Sequence, residues 1–237
     1  MKKLKILVTA GSTSVPIDQV RNISNIFKGK TGTDIAIKFS LMGHDVRVIT
    51  SNEYLLRKEI ACFADGFPDI LRLLLYARMF KTYDELYEIM EQEVKIGAYD
   101  VIIHTAAVSD YKVAEVCMMD QEKLWAIDKS NKVSSAHEDL YLHLVKTPKI
   151  IDLIREPWKF KGYLVKFKLQ VDVNDHELIK IAKKSRVDSG ADMIVANCLE
   201  WAKERAFIIT NRSAIDVGRK DLPDRIHELI YEEIGEE

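Results

Sequence analysis

Gly29-Lys30-Thr31 supplies the residue types that close a phosphate-cradling loop, where backbone amides wrap a polyphosphate and a lysine neutralises it. The full pattern, G-x-x-x-x-G-K-[ST], puts a glycine where this chain has Ser24, and it needs a buried strand running directly into the loop. The strand-like run Ile6-Leu7-Val8-Thr9 instead lies well upstream, separated by Pro16 and the polar stretch DQVRNISN. Gly29 and Gly32 therefore punctuate the entry to an amphipathic helix that buries Ile35, Ala36 and Phe39.

Other groups able to do chemistry stand just after apolar runs. Ala10-Gly11-Ser12-Thr13-Ser14 follows one, Ala106-Ala107-Val108-Ser109-Asp110 another, Lys168-Leu169-Gln170 a third and Asn197-Cys198 a fourth. Small and polar residues at the same end of four strands point to a pocket. Cys62, Cys117 and Cys198 are far apart and form no C-x-x-C, which argues against a zinc site or a disulfide framework; each sits among apolar neighbours and is expected to be a small buried hydrophobe.

Positioning these groups requires strands and helices in alternation. Short Val/Ile-rich runs cover 4–9, 45–50, 100–105, 162–167, 192–196 and 206–210, with helical patterns at 30–42, 82–96, 148–155, 175–188 and 221–235. This rhythm predicts an α/β, doubly wound, mainly parallel sheet, with its ligand crevice beyond the C-terminal ends of the strands. The 237 residues fit a single domain over 1–237. Residues 112–147 break the rhythm, with extended pieces such as KLWAI and DLYLHLVK around a polar middle, and read as a protruding hairpin-like arm.

Thirty-five Lys and Arg stand against 37 Asp and Glu, a net charge of −2, so nothing favours bulk binding to nucleic acid or to a membrane surface and any anionic ligand must be met locally. No run approaches the roughly 20 apolar residues of a membrane span. The basic start MKKLKILVTAGS reads as a first strand, and a cytoplasmic location is expected.

The ordered set ILVTAGSTSVPIDQVRNISN, GKTG, AAVSDY, KVSS, LVKTPKI, KFKLQVD and DMIVAN, spread over residues 6–197, resembles phosphopantothenoylcysteine synthetase, also called phosphopantothenate–cysteine ligase. The resemblance implies a Rossmann-like fold with an extended dimerisation arm and hence a homodimer. It also implies ligation of 4'-phosphopantothenate to L-cysteine for coenzyme A synthesis. In that chemistry the carboxylate attacks a nucleoside triphosphate, pyrophosphate leaves, and the cysteine amine displaces the nucleotide from the acyl-nucleotidylate. Magnesium is expected with the nucleotide. CTP is the expected nucleotide and ATP the alternative, since KFKLQVD is closer to the eukaryotic pattern.

The resemblance assigns residues as well. SNIFKGKTG matches a flap in which Asn25 turns over the acyl intermediate and Gly29 and Lys30 contact substrate; Phe27 and Lys28 replace the usual serines. Lys132 matches the arm lysine that neutralises phosphate, with Lys129 the alternative. Gly11, Ser12, Ala106, Ala107, Asp110 and Phe167 match nucleotide-binding positions, and no residue is assigned to a metal. The flavin-dependent decarboxylase often fused to such synthetases is expected as a separate protein, so no flavin is expected here. Two other readings compete: a non-catalytic nucleotide-binding protein of the same fold, and a Rossmann-type oxidoreductase. Against the latter, G-x-G-x-x-G is absent and no acidic residue ends the second long strand.

Overall fold

A computed structural model describes residues 2–120 and 123–234. The chain opens with β1 (Lys5–Ala10), the short pair β2 (Ser14–Pro16) and β3 (Asn22–Ser24), α1 (Lys30–Leu41) and β4 (Asp45–Thr50). Next come α2 (Glu53–Ala61), a 3-10 turn, α3 (Arg72–Leu75), β5 (Arg78–Met79), α4 (Tyr83–Ile96) and β6 (Val101–His104). The arm contains β7 (Tyr111–Asp120), β8 (Lys123–Ile127) and β9 (Tyr141–Lys146). The body resumes with α5 (Ile150–Arg155), β10 (Tyr163–Gln170), α6 (Asp175–Asp188), β11 (Met193–Cys198), β12 (Arg205–Ile209), β13 (Ala214–Gly218) and α7 (Leu222–Ile234).

Eight strands form one sheet in the order β13-β12-β11-β10-β6-β1-β4-β5. From β5 to β11 all pairings are parallel, whereas β11–β12 and β12–β13 are antiparallel. The sixth strand predicted from the sequence therefore runs against the others, because a tight connection, rather than a helix, joins it to β11. From β1 the chain winds outward through β4, then returns to place β6 on the other side of β1. The order thus reverses between β1 and β6, where a doubly wound sheet leaves its crevice.

Alternation within the strands explains their continuous apolar runs. Ile6, Val8, Ile103 and Val165 pack with Phe39 of α1 and Ile226 of α7 on one face; Leu7, Ile102 and Leu164 pack with Leu86 and Met90 of α4 on the other. Both faces are covered, so successive residues are all buried, each such aliphatic side chain contributing about 1.5–3 kcal/mol. Thr82 and Glu85 close a reciprocal capping box on α4, and Asn174 caps α6 through the Glu177 amide.

The arm is a three-stranded antiparallel sheet in the order β8-β7-β9, rather than a simple hairpin. Val113, Val116 and Val133 pack with Val15 at its base, whereas Met119, Leu124 and Trp125 are exposed further out and Leu144, opposite Val113, is exposed near the base. Cys117 and Cys198 are buried as expected, but Cys62 is exposed: it follows α2 on a helical excursion that covers the sheet only in part.

Candidate functional site

The strand ends at the switch point are stitched together by their own threonines. Thr9, fully buried on β1, accepts through its hydroxyl from the amides of Thr105 and Ala106, both at 3.1 Å, and lies 3.0 Å from His104 Nδ1. Ala107 donates its amide to the Gly11 carbonyl at 2.9 Å, and Thr13 donates to the Ala107 carbonyl at 3.1 Å. The turns after β1 and β6 therefore form one rigid ledge.

The flap lies against this ledge. Gly29 adopts a left-handed conformation, φ 89°, and a Cβ there would stand 2.5 Å from the Gly11 amide nitrogen. No other residue type fits this crossing without moving backbone. Asn25 donates through Nδ2 to the Ala107 carbonyl at 3.3 Å, and Asn52 Nδ2 donates to the Lys28 carbonyl at 3.1 Å, fixing the flap at both ends. The flap leads into α1, whose first turn has no side-chain cap and no acidic residue, leaving amides open to an anion.

A cleft of about 710 Å³ opens between flap, ledge and the ends of β10 and β11. It collects Gly11, Gly29, Lys30, Ala106, Ala107 and Phe167 from the residues assigned by resemblance. A smaller cavity of about 250 Å³ on the far side of Ala106 and Phe167 contains Asp110. Ser12 sits just outside, its amide donated to Ser51 Oγ at 2.9 Å. Lys132 is not brought to either cavity; it projects from an exposed part of the arm. Lys129 is occupied with the Val113 carbonyl at 2.7 Å.

Electrostatically the cleft departs from the rest of the chain. Lys28, Lys30, Lys168, Lys203, Arg219 and Lys220 line it, against the single carboxylate Asp34, itself held by Lys30 Nζ at 2.5 Å. A chain of net charge −2 thus concentrates cations at one mouth. Lys203, Arg219 and Lys220 carry no signal in the sequence, because isolated basic residues are common on any surface. Arg219 Nη2 donates to Thr31 Oγ1 in the first turn of α1, and its Nη1 is enclosed with no hydrogen-bond partner among the described residues. Leaving such a group unpaired costs on the order of 1–3 kcal/mol or more. Burial lowers the Arg219 pKa, against the opposing pull of Asp34, without discharging so strong a base.

The neighbouring cavity holds a buried ammonium: Lys166 Nζ donates to the Ser185 carbonyl and to Ser189 Oγ, both at 3.0 Å, at the C-terminal end of α6. Burial pushes its pKa down to about 8, and pushes that of His104 down to about 4 with repulsion from Lys166 assisting. His104 is therefore neutral at pH 7 and serves as a hydrogen-bonding partner of Thr9. Among the described residues no group of three or more His, Cys, Asp or Glu is arranged to hold a metal, and no helix is long and apolar enough to cross a membrane.

Known proteins resemble this chain in sequence and in fold. The coenzyme A biosynthesis bifunctional protein CoaBC of Thermococcus kodakarensis is 30% identical over 234 residues, covering 98% of this chain and 49% of its own. That of Methanocaldococcus jannaschii is 28% identical, with 50% of its length covered, so the chain spans about half of these relatives. Phosphopantothenate–cysteine ligase 2 of Oryza sativa subsp. japonica is 22% identical, covering 96% of this chain and 78% of its own. Among solved structures, the DNA/pantothenate metabolism flavoprotein from Streptococcus pneumoniae superposes with a TM-score of 0.78 at 32% identity, covering 96% of this chain and 98% of that one. The profile of one family matches residues 1–228, and the chain belongs to that family, described as the DNA/pantothenate metabolism flavoprotein C-terminal domain.

Proposed function

We propose that this chain ligates 4'-phosphopantothenate to L-cysteine through an acyl-nucleotidylate. The observation that carries this reading is the cleft at the β1–β6 switch point, which gathers the flap, the Ala106-Ala107 ledge, Phe167 and six cations into one space. The names of the rice ligase and of the bifunctional coenzyme A proteins support it.

Activation requires a carboxylate to attack the α-phosphorus and pyrophosphate to leave, so negative charge accumulates near the open start of α1. Preorganised amides and cations meet that charge without reorganising, which is the main source of rate in such a step. Phe167, packed against the core, lines both the cleft and the neighbouring cavity that holds Asp110, and the two match positions that line the nucleotide base and ribose. In the second step the cysteine amine forms the amide bond, loses a proton and displaces the nucleoside monophosphate. Asn25, held over the ledge, contributes an amide able both to donate and to accept. The cations of the cleft would themselves meet the triphosphate; magnesium brought by the nucleotide would be held mainly by phosphate oxygens, with Asp34 as the carboxylate of the lining, and would add neutralisation of the developing phosphate charge.

We also propose CTP as the nucleotide, with ATP to be compared directly, and a homodimer formed through the arm, which carries Lys132. Pyrophosphate release measured with phosphopantothenate, cysteine and either nucleotide tests the reading. The expected result is release that yields a cysteine-containing product in proportion. Nucleotide binding with no such product would instead establish a non-catalytic binder.

A further inference from the structure

The motifs behind the resemblance end at Asn197, yet a wall of the cleft is built by later residues. Arg219 enters that wall from the turn between β13 and α7, and its contact with the Thr31 hydroxyl spans 188 positions of sequence. A guanidinium presents five donors in a rigid plane. Anchoring Nη2 on Thr31 places that plane beside the first turn of α1, while Nη1 is enclosed and has no partner among the described residues. Asp34, the carboxylate of this cleft, is committed to Lys30, and Lys220 adds a second cation next to Arg219 along the chain.

We propose that Arg219 is a phosphoryl-binding residue of the cleft, its free guanidinium edge pairing with phosphate oxygens of a ligand seated against Thr31. A small turn of the guanidinium about the Thr31 contact brings Nη1 to the ligand and relieves its isolation. A planar fork matches two oxygens of one phosphoryl group, which an ammonium cannot do. The polyphosphate of the nucleotide and the phosphate of phosphopantothenate share this chemistry. The proposed ligase reading bears only on which of them is the natural owner.

Calorimetric titration of the full chain with inorganic pyrophosphate, CTP, ATP, 4'-phosphopantothenate and cytidine separates the possibilities. Arg219→Gln retains an N–H for Thr31 but no charge; Arg219→Lys retains charge but no fork. Both are expected to melt close to the parent, to bind cytidine as the parent does, and to lose about tenfold to hundredfold in affinity for the phosphorylated ligand that Arg219 meets. Loss confined to pyrophosphate and the triphosphates assigns Arg219 to the nucleotide; loss confined to phosphopantothenate assigns it to that substrate. Parent-like affinity for all phosphorylated ligands, equal loss for cytidine, or no phosphate binding by the parent would overturn the proposal. Should the parent bind pyrophosphate in an Arg219-dependent way yet catalyse no ligation, the ligase reading fails and this one stands.

Discussion

The Asp18 carboxylate accepts a 3.0 Å hydrogen bond from the amide of Val133, so the segment leading to the flap holds the arm residue next to Lys132. The same carboxylate accepts from the amides of Val20 and Arg21, at 2.9 and 2.8 Å, and from the Arg21 guanidinium, which also donates to the Val133 carbonyl at 2.7 Å. The Arg21 guanidinium, helped by these amides, holds the Asp18 carboxyl well below the usual carboxylate range, so the tether stays ionised throughout neutral and mildly acidic pH.

Replacing that carboxylate should release the arm loop without unfolding the body. In Asp18→Asn the Val133 amide is expected to exchange its hydrogen at least tenfold faster than in the parent, while amides of β1 and β6 keep their protection. Unchanged exchange at Val133 would show that packing against Val15 and Val113, and not Asp18, holds the loop.

The two arm lysines should separate cleanly. Lys132 reaches neither cavity of its own chain, so the role expected of it requires the arm of a second copy to carry it to the cleft; on that reading Lys132→Ala reduces the rate of pyrophosphate release by about 10²–10³, the scale on which loss of one charge-stabilising donor is felt. Lys129→Ala, which loses the bond to the Val113 carbonyl, should lower arm stability and leave the rate nearly unchanged. The reverse order of effects would assign the role to Lys129.

Asn25→Asp keeps the side-chain size, removes the donor to Ala107 and adds a charge where anionic character develops. Activation should survive better than transfer, so acyl-nucleotidylate should accumulate when cysteine is supplied. Chromatography of labelled nucleotide decides the matter: equal slowing of both steps removes any special role of Asn25 in the second.

The exposed apolar side chains of the arm are expected to be an interface between two copies. Trp125→Lys with Leu124→Lys places two charges where apolar surface needs covering and should yield monomers in light scattering. A parent chain already monomeric at micromolar concentration would dismiss the arm as a dimer contact.

Stability should decline on acidification through a histidine pair far from the cleft. The Leu4 amide donates to His44 Nδ1, so that nitrogen carries no proton, and His44 Nε2 must donate across 2.9 Å to His227 Nε2. Burial, with His227 and Lys3 repelling, pushes His44 down to about 4, and burial lowers His227 as well. An unfolded histidine binds its proton near pH 6.5. The stabilisation is therefore complete above pH 6.5 and is lost progressively as pH falls from there to about 4. Thermal melts at pH 7.5, 5.5 and 4.5 should show this decline, and His227→Gln should flatten it; an equal slope in the variant would place the effect elsewhere.

Much of the body was legible because each buried strand announces itself by continuous Val and Ile and each amphipathic helix by its period. The run 45–50 and the pattern 175–188 match β4 and α6 at both ends. Other elements carry weak signals. β13 is an exposed edge strand, AIDVG, with only Val217 buried, and α2 and α3 are short helices separated by a connection that contains Gly66 and Pro68. The orientation of β12 is invisible locally, since a buried strand reads alike in either direction. Within the site, the ledge residues follow strand ends and the flap matches a family motif, so both could be located, whereas Arg219 acquires meaning only when β13 and α7 bring it to Thr31.

The arm leaves the body at Asp110 and returns at Thr147, where the Thr147 amide donates to the Asp110 carbonyl at 2.9 Å and the Thr147 hydroxyl to the Ser109 carbonyl at 2.7 Å. Entry and exit thus touch, as the two sides of a graft do. An appendage closed at its base can lengthen, shorten or change its edge strand without altering the register of β6 or β10. The outer arm can thus vary as a separate piece while the strand ends that line the cleft keep their places.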